Sequence, residues 1–474
     1  VLADALRRQW QVDPDLVSLT LLLDRGEGAI EGRWAAQPER HHSLERLLAG
    51  RAEPVMVLFG AGGAGKSTLL RRLAAAAALQ GLRADARNES SRLPHFVPLA
   101  GLKLADPASG PSDAVGWLAR SWQRQYPAMP PLAELRDQGA VLLLLDDLMQ
   151  VRLNTEADRL AALDGWIRLA EWVAAAPPGN RLLFSSRSIA ASEALSIPAL
   201  RVPHLRLEPL DADQIRHYLE RVTGEPLAEG WDRVSAAPQM EVLRSPFYLE
   251  MFGAQLAEGA VEPLGRSALL TSFVRRSLAR EIERGNQLVL GPPLMAPRDA
   301  VQVIGGHWAS PWELPEAGAL IRGLANVAYA QLQARNRSAA QDPPAGADAL
   351  ASALTEAGLQ IDVLAQEPEA VGPVFRHQIF KEYFAARRMA RSPEPELVAT
   401  EWQAEQLVPR LRQVLDELEP AAELPVPSVT GWEDVMLLAA EMAEDRAALL
   451  TGLMPVNLIV AGRLAAQANV QPQL

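Results

Sequence analysis

Two patterns along this chain predict an α/β fold. Apolar strands alternate with helices from about residue 49 to 207, and after that almost only helices remain, with one small hairpin among them. The first pattern predicts a three-layer domain, a parallel sheet with helices on both faces. The second predicts largely helical modules after it.

The elements can be taken in order. Residues 1–48 form a mixed leader. Ala3–Trp10 reads as helix, Leu16–Leu23 as a short strand before a Gly-rich turn, and Ser43–Leu48 as helix. Val55–Phe59 is a continuous apolar run of strand length, suiting a strand buried on both faces. A Gly-rich loop follows, then Ser67–Leu79 as an Ala/Leu/Arg helix. His95–Leu99 is a short strand, Ala105–Ser112 a loop and Ala114–Gln125 a helix. Val141–Leu145 is a strand ending in Asp146-Asp147. Ala157–Ala175 carries Leu160, Leu163, Trp166, Ile167, Trp172 and Val173 at helical spacing, and Pro177-Pro178-Gly179-Asn180 stops it. Arg181–Ser185 and His204–Leu207 are the last strands of this region.

From Asp211 onward the strand pattern ends. Asp211–Val222, Glu241–Leu256, Leu269–Arg284 and Ala317–Ala334 read as amphipathic helices. Asn336–Asp348 is a linker rich in Pro, Gly, Ala and Asp. Ala349–Ala357 is a helix stopped by Gly358. Leu359–Leu364 and Val374–His377 pair as a hairpin, and Gln378–Met389 is a helix. Helices, a small hairpin and another helix suit a winged-helix module. Pro393–Glu396 marks a boundary, and the rest, to Leu474, is helical.

Bulk composition narrows the function. The chain has 474 residues, 49 % of them apolar and 22 % charged, as in an ordinary globular protein of several domains. A net charge of −12 argues against a protein that coats DNA or an anionic membrane. Without cysteine, disulfides, thiolate catalysis and cysteine metal sites are excluded. No apolar run is long enough to span a membrane and no secretory signal opens the chain, so a cytoplasmic location is expected. Lys66, Lys103 and Lys381 are the only lysines, and the abundance of Arg, Ala, Leu and Pro resembles the coding bias expected of a GC-rich bacterium. The first residue is Val1, and a piece of a longer chain is expected.

Residues 60–67 carry the firmest chemistry. Gly60-Ala-Gly-Gly-Ala-Gly65-Lys66-Ser67 fits G-x-x-x-x-G-K-[ST], between a strand and a helix. Backbone N–H groups must turn inward around phosphate oxygens, which needs backbone angles that Gly62, Gly63 and Gly65 tolerate. Ala64 and Thr68 complete the cradle with the helix N-terminus, whose dipole favours an anion. Lys66 reaches the β- and γ-phosphates, and the Ser67 hydroxyl is a hard ligand suited to Mg²⁺. The expected cofactors are ATP or ADP with Mg²⁺.

Asp146 ends an apolar strand, where a P-loop fold places the carboxylate that orients Mg²⁺. Asp147 is a candidate general base for the attacking water. An acid after an apolar run can also simply cap a turn. Arg187, just after the strand Arg181–Ser185, is a candidate sensor of the γ-phosphate, or else a solvated arginine in an Arg-rich chain. His41 and His42 are adjacent and so do not share a helix face as ligands.

The order of these parts resembles the NACHT group of STAND signalling ATPases, the class that includes NOD-like receptors. It runs from the P-loop through the strand ending in Asp and the Ser-Ser-Arg strand end to a helical module. Last comes Val374-Phe-Arg-His-Gln-Ile-Phe-Lys-Glu-Tyr-Phe-Ala-Ala386. The resemblance covers roughly residues 50–390. It implies that His377 contacts the β-phosphate of bound ADP and holds a switch closed. It also implies that Pro246, in Ser245-Pro246-Phe247, packs near adenine. As sequence, Pro246 also suits the first turn of a helix capped by Ser245. The divisions expected are a leader at 1–48, a nucleotide-binding core at 49–207, a helical lid at 208–263, a winged helix at 264–391 and the start of a helical superstructure at 392–474.

The acidic segment departs from the family. NACHT proteins usually continue as Asp-Gly-x-Asp-Glu, whereas here it reads Asp146-Asp147-Leu148-Met149-Gln150. The Asp-Asp pair resembles the related NB-ARC branch. Either Asp147 replaces the missing glutamate, or hydrolysis is very weak. The function implied is a switch that is closed with ADP and that self-associates with ATP and Mg²⁺, in bacterial defence or conflict signalling. Its trigger is expected to be a protein ligand, and its effector to lie outside this segment. Two alternatives remain. One is a transcription regulator that binds DNA through Arg376–Arg391, which the net charge argues against. The other is a constitutive remodelling ATPase.

Overall fold

The computed structural model describes residues 19–23, 40–85, 91–99, 113–148, 156–187, 195–224, 231, 240–257, 265–333, 347–365, 374–399 and 430–467. The expected helix Ala3–Trp10, the loop Ala105–Ser112, and Met149 and Gln150 lie outside these residues. The chain divides into two compact units, Val1–Gly253 and Ala254–Leu474, and each is described by itself.

The first unit is built on a mixed sheet of seven strands: β1 (Leu21–Leu23), β2 (Arg40–His41), β3 (Val55–Phe59), β4 (Leu93–Pro98), β5 (Val141–Asp146), β6 (Arg181–Ser186) and β7 (His204–Leu207). Their order across the sheet is β2-β1-β7-β3-β6-β5-β4. From β7 to β4 all neighbours are parallel, and only β1 runs antiparallel to its two neighbours. The parallel strands are apolar at successive positions because helices cover both faces. Val55 and Val57 of β3 enter one core and Met56 and Leu58 the other. Leu143 and Leu145 of β5 likewise oppose Leu142 and Leu144.

The first core is closed by Leu118 and Trp122 of helix α3 (Ala114–Gln125), by α4 (Leu132–Asp137) and by Trp166, Leu169 and Val173 of α5 (Glu156–Ala174). The second is closed by α1 (Leu44–Ala49) and by Leu70, Leu73 and Ala74 of α2 (Lys66–Asp85). Ser43 caps α1 by accepting the Arg46 N–H, and Asp211 caps α6 (Ala212–Thr223) in a reciprocal box with Gln214. The continuous helix expected over Glu241–Leu256 is instead two, α7 (Met240–Leu243) and α8 (Pro246–Ala257). Pro246 has no N–H to continue a helix and sits at the start of the second.

The second unit is mainly helical. Its helices are α9 (Arg266–Glu283), α10 (Gln287–Leu290), α11 (Pro297–Gly305), α12 (Leu320–Gln333), α13 (Ala347–Gln360), α14 (Gln378–Met389), α15 (Glu433–Met442), α16 (Arg446–Leu453) and α17 (Leu458–Gln467). The expected hairpin is short and its first strand starts later than Leu359–Leu364, whose first two residues are helical: Leu364–Ala365 pairs antiparallel with Val374–Phe375. Gly358 does not stop α13, which runs on to Gln360. A Cβ there would come within 2.5 Å of Leu364 Cδ1, so the glycine serves close packing of the hairpin on the helix. The middle of α14 is buried through Tyr383, Phe384, Ala385 and Ala386. Two of its polar groups are paired: the Tyr383 hydroxyl meets Thr271 Oγ1 at 2.7 Å, and Arg387 Nη2 pairs with Glu316 Oε1 at 2.6 Å.

One buried group in the first unit makes stability depend on pH. His95, on β4, is fully enclosed, with its ring edge-on to Trp122 at 5.3 Å. Burial lowers its pKa from 6.5 to about 3. Between these values the unfolded chain holds the extra proton and the folded one does not. Stability therefore falls as pH drops below 6.5, by up to about 1.4 kcal/mol per pH unit. We expect His95→Leu to flatten the pH dependence of urea unfolding between pH 6.5 and 4. Parallel profiles for the two proteins would contradict this account.

Candidate functional site

Three neighbouring parallel strands bring their carboxyl ends together. β3 leads into the loop at residues 60–67, β5 ends in Asp146, and β6 ends in Ser186 just before Arg187. Because β6 lies between the other two, its last residues touch both.

The loop is held in shape by its own backbone and lysine. Gly60 N–H donates to Ser186 O at 3.2 Å, and Ala64 N–H to Ala61 O at 3.2 Å. Gly63 and Gly65 have φ of 77° and 92°, the left-handed region that glycine enters without a Cβ penalty. Lys66 is buried, and its Nζ donates to Gly60 O at 2.7 Å and Ala61 O at 2.9 Å. The 20-residue helix α2 starts at Lys66, so its unpaired N–H groups and positive dipole end open at the loop. Ser67 is half-buried at this helix start and Thr68 is exposed.

Asp146 is buried, and its pKa is raised. Desolvation is the main cause, reinforced by Asp147. The hydroxyls of Ser185 and Ser67 and the charge of Arg71 act against it. The two side chains expected to hold Mg²⁺, Ser67 and Asp146, are thus neighbours, with the Ser67 hydroxyl placed to favour the charged carboxylate. A hydroxyl and a carboxylate held together, with ionisation of the carboxylate opposed by burial, fit a hard cation that would supply the missing positive charge. Among the described residues no cluster of three or more His, Cys, Asp or Glu could hold a metal alone. Such a cation would then complete its shell from phosphate and water.

Asp147 has φ of 63°, unusual for a residue with a side chain. Its N–H donates to Ser185 Oγ at 2.7 Å, and its Oδ2 pairs with Arg187 Nε at 3.2 Å. Arg187 also reaches the loop, since a Cβ on Gly62 would come within 3.3 Å of its Nη1. The structure therefore joins Asp147 and Arg187, for which the sequence suggested separate roles. Pro246 opens α8, and the residues around it bind the loop: Ser245 Oγ and Phe247 N–H both donate to Gly63 O, at 3.2 and 3.3 Å. His377 belongs to the second unit, where it caps α14. Its Nδ1 accepts the Ile379 N–H at 3.4 Å, which puts the proton of the neutral ring on Nε2.

Ser185 and the contacts of Ser245 and Phe247 with Gly63 O escaped the sequence reading. Ser185 stood there only as a strand end. Its partner follows from the register, which sets Leu145 beside Phe184 and so carries Asp146 to Ser185.

Residues 54–226 match the family model of the NACHT domain, a P-loop NTPase family, and this segment of the chain is a NACHT-type nucleotide-binding domain. No curated protein matches. Among solved structures, the chain is similar to the ORC2 protein of Aeropyrum pernix in its ADPNP–ADP complexes. That match has 14 % identity and a TM-score of 0.25, covering 73 % of this chain and 91 % of that one. It is also similar to a RuvB variant of Thermotoga maritima, at 14 % identity and a TM-score of 0.22, over 69 % and 86 % of the two chains. PCH-2 of C. elegans matches at 13 % identity and a TM-score of 0.23, over 49 % and 58 %.

The raised pKa of Asp146 gives a test of the cation site. Asp146→Asn removes a carboxylate whose ionisation is opposed by burial, so the nucleotide-free protein should melt at or above the wild-type temperature. The same variant should lose the part of ATP-induced stabilisation that needs Mg²⁺. For a ligand at 100 times its Kd the whole stabilisation is about 2.7 kcal/mol. A variant that keeps the full Mg²⁺-dependent shift would exclude Asp146 as a ligand.

Proposed function

We propose that this chain is a nucleotide-controlled signalling switch that binds ADP in a closed form and ATP with Mg²⁺ in an active, self-associating form, and that it hydrolyses ATP slowly. The observation that carries this reading is the Arg187–Asp147 ion pair, set against a complete phosphate loop. The backbone N–H groups of residues 62–67 would bind the phosphates, and Lys66 would move its ammonium from Gly60 O and Ala61 O to their oxygens. Ser67 and Asp146 would hold Mg²⁺, which supplies charge neutralisation between the phosphates. Arg187 would turn to the γ-phosphate when one arrives, and Asp147, released from the pair, would accept the proton of the attacking water. A carboxylate held by an arginine is a poor base, which supports slow turnover and long retention of nucleotide.

The remainder rests on the NACHT resemblance. His377, with its proton on Nε2, would donate to the β-phosphate of ADP, and Pro246 would lie near the base. The order helix, hairpin, helix over Ala347–Met389 supports a winged-helix module within residues 264–391. The core would span 49–207, a helical lid 208–263 and a helical superstructure 392–474. A protein trigger would favour the open state, and the opened surface would assemble copies of the chain around an effector. This requires nucleotide and trigger to bind the two states with different affinities, by about 10⁴-fold in total for a complete shift.

Purified protein should contain ADP and elute as a monomer, whereas trigger with ATP and Mg²⁺ should yield a large assembly on a sizing column. A uniform monomer under both conditions would refute the switch. Turnover should stay below about 1 s⁻¹, the low end of the enzyme range.

A further inference from the structure

We propose that Ser185 is a positioning residue of this site, whose hydroxyl aligns Asp146 and Asp147 so that a divalent cation and the nucleotide phosphates are bound together. The inference rests on the nucleotide-site reading above. Ser185 is fully buried on β6, between the strand that leads into the loop and the strand that ends in Asp146. Its Oγ donates to Asp146 Oδ1 at 2.7 Å and accepts the Asp147 N–H at 2.7 Å. A hydroxyl has one proton. With that proton committed to Asp146 and a lone pair committed to Asp147, its rotation is fixed.

Each bond has a consequence for function. The first fixes one oxygen of Asp146 and so sets the plane of the carboxylate that also meets Ser67. The second stabilises the left-handed backbone of Asp147, at φ 63°, which directs its side chain to Arg187. The next residue continues the link, because Ser186 O accepts the N–H of Gly60, the first residue of the loop. A small buried side chain thereby sets the relation between both acids, while its neighbour anchors the loop. Partners of this kind, behind a metal-binding side chain, are commonly worth 10- to 100-fold in metal affinity.

The test uses the full chain and two readouts, ADP binding in EDTA and ATP binding as Mg²⁺ is titrated. Ser185→Ala should keep ADP binding in EDTA within about twofold, while the Mg²⁺ concentration for half-maximal ATP binding rises 10- to 100-fold. Ser185→Thr, which keeps the hydroxyl, should restore the wild-type Mg²⁺ dependence. An unchanged Mg²⁺ half-point in Ser185→Ala, in a protein that binds ATP, overturns this inference alone. Equal loss in both readouts overturns it too, since that is damage to the loop. A wild-type chain that binds neither nucleotide overturns the site reading and this inference with it. If circular dichroism finds Ser185→Ala unfolded, Ser185→Cys, which keeps the volume with a weak donor, takes its place with the same expected outcomes.

Discussion

The carboxylate of Asp146 is buried at the end of a strand covered on both faces, and the rest of the site is arranged around the cost of charging it. Burial pushes its pKa up. Two hydroxyls and the charge of Arg71 work against that, while the neighbouring Asp147 adds to it. Asp147 in turn is relieved by Arg187, at 3.2 Å. In the proposed reading, a cation beside Ser67 would offset the charge of these two acids. The ammonium of Lys66 donates to the loop carbonyls of Gly60 and Ala61 and so braces the loop beside these acids.

Much of this was legible in the sequence, for identifiable reasons. A strand covered on both faces must be apolar at consecutive positions, so Val55–Phe59 and His204–Leu207 fall where the apolar runs place them. The loop shows itself through glycines whose backbone angles other residues avoid. The order of strands leaves no such mark. That β6 lies between β3 and β5 is a property of tertiary packing, and the roles of Ser185 and of the Arg187–Asp147 pair depend on it. Glycine is also ambiguous. At Gly358 it signals close packing against Leu364 inside a helix, where the sequence suggests a stop. The short edge strand Arg40–His41 escaped because two residues carry no periodicity.

The Gly63 carbonyl accepts hydrogen bonds from Ser245 Oγ and from Phe247 N–H, so the start of α8 is tied to the loop through direct contacts. A rearrangement of the loop on binding phosphate would strain or break these bonds, each worth about 1 kcal/mol net. In the proposed switch, coupling of that size is enough to make the helical segment respond to the nucleotide, since allosteric coupling is typically about 1–3 kcal/mol.

Arg187 then sets the pace of the proposed cycle. Its Nε engages the candidate base, and its Nη1 lies beside Gly62 of the loop. In the proposed cycle the guanidinium exchanges one anion for another when a γ-phosphate arrives, so that recognition of ATP and release of Asp147 become one event. An enzyme selected for throughput would keep its base available at all times. A switch benefits from the opposite arrangement, in which the base becomes available only after the nucleotide has been recognised. The missing acids at positions 149 and 150 are consistent with that design, because without a second carboxylate all base chemistry falls to the one residue that Arg187 controls.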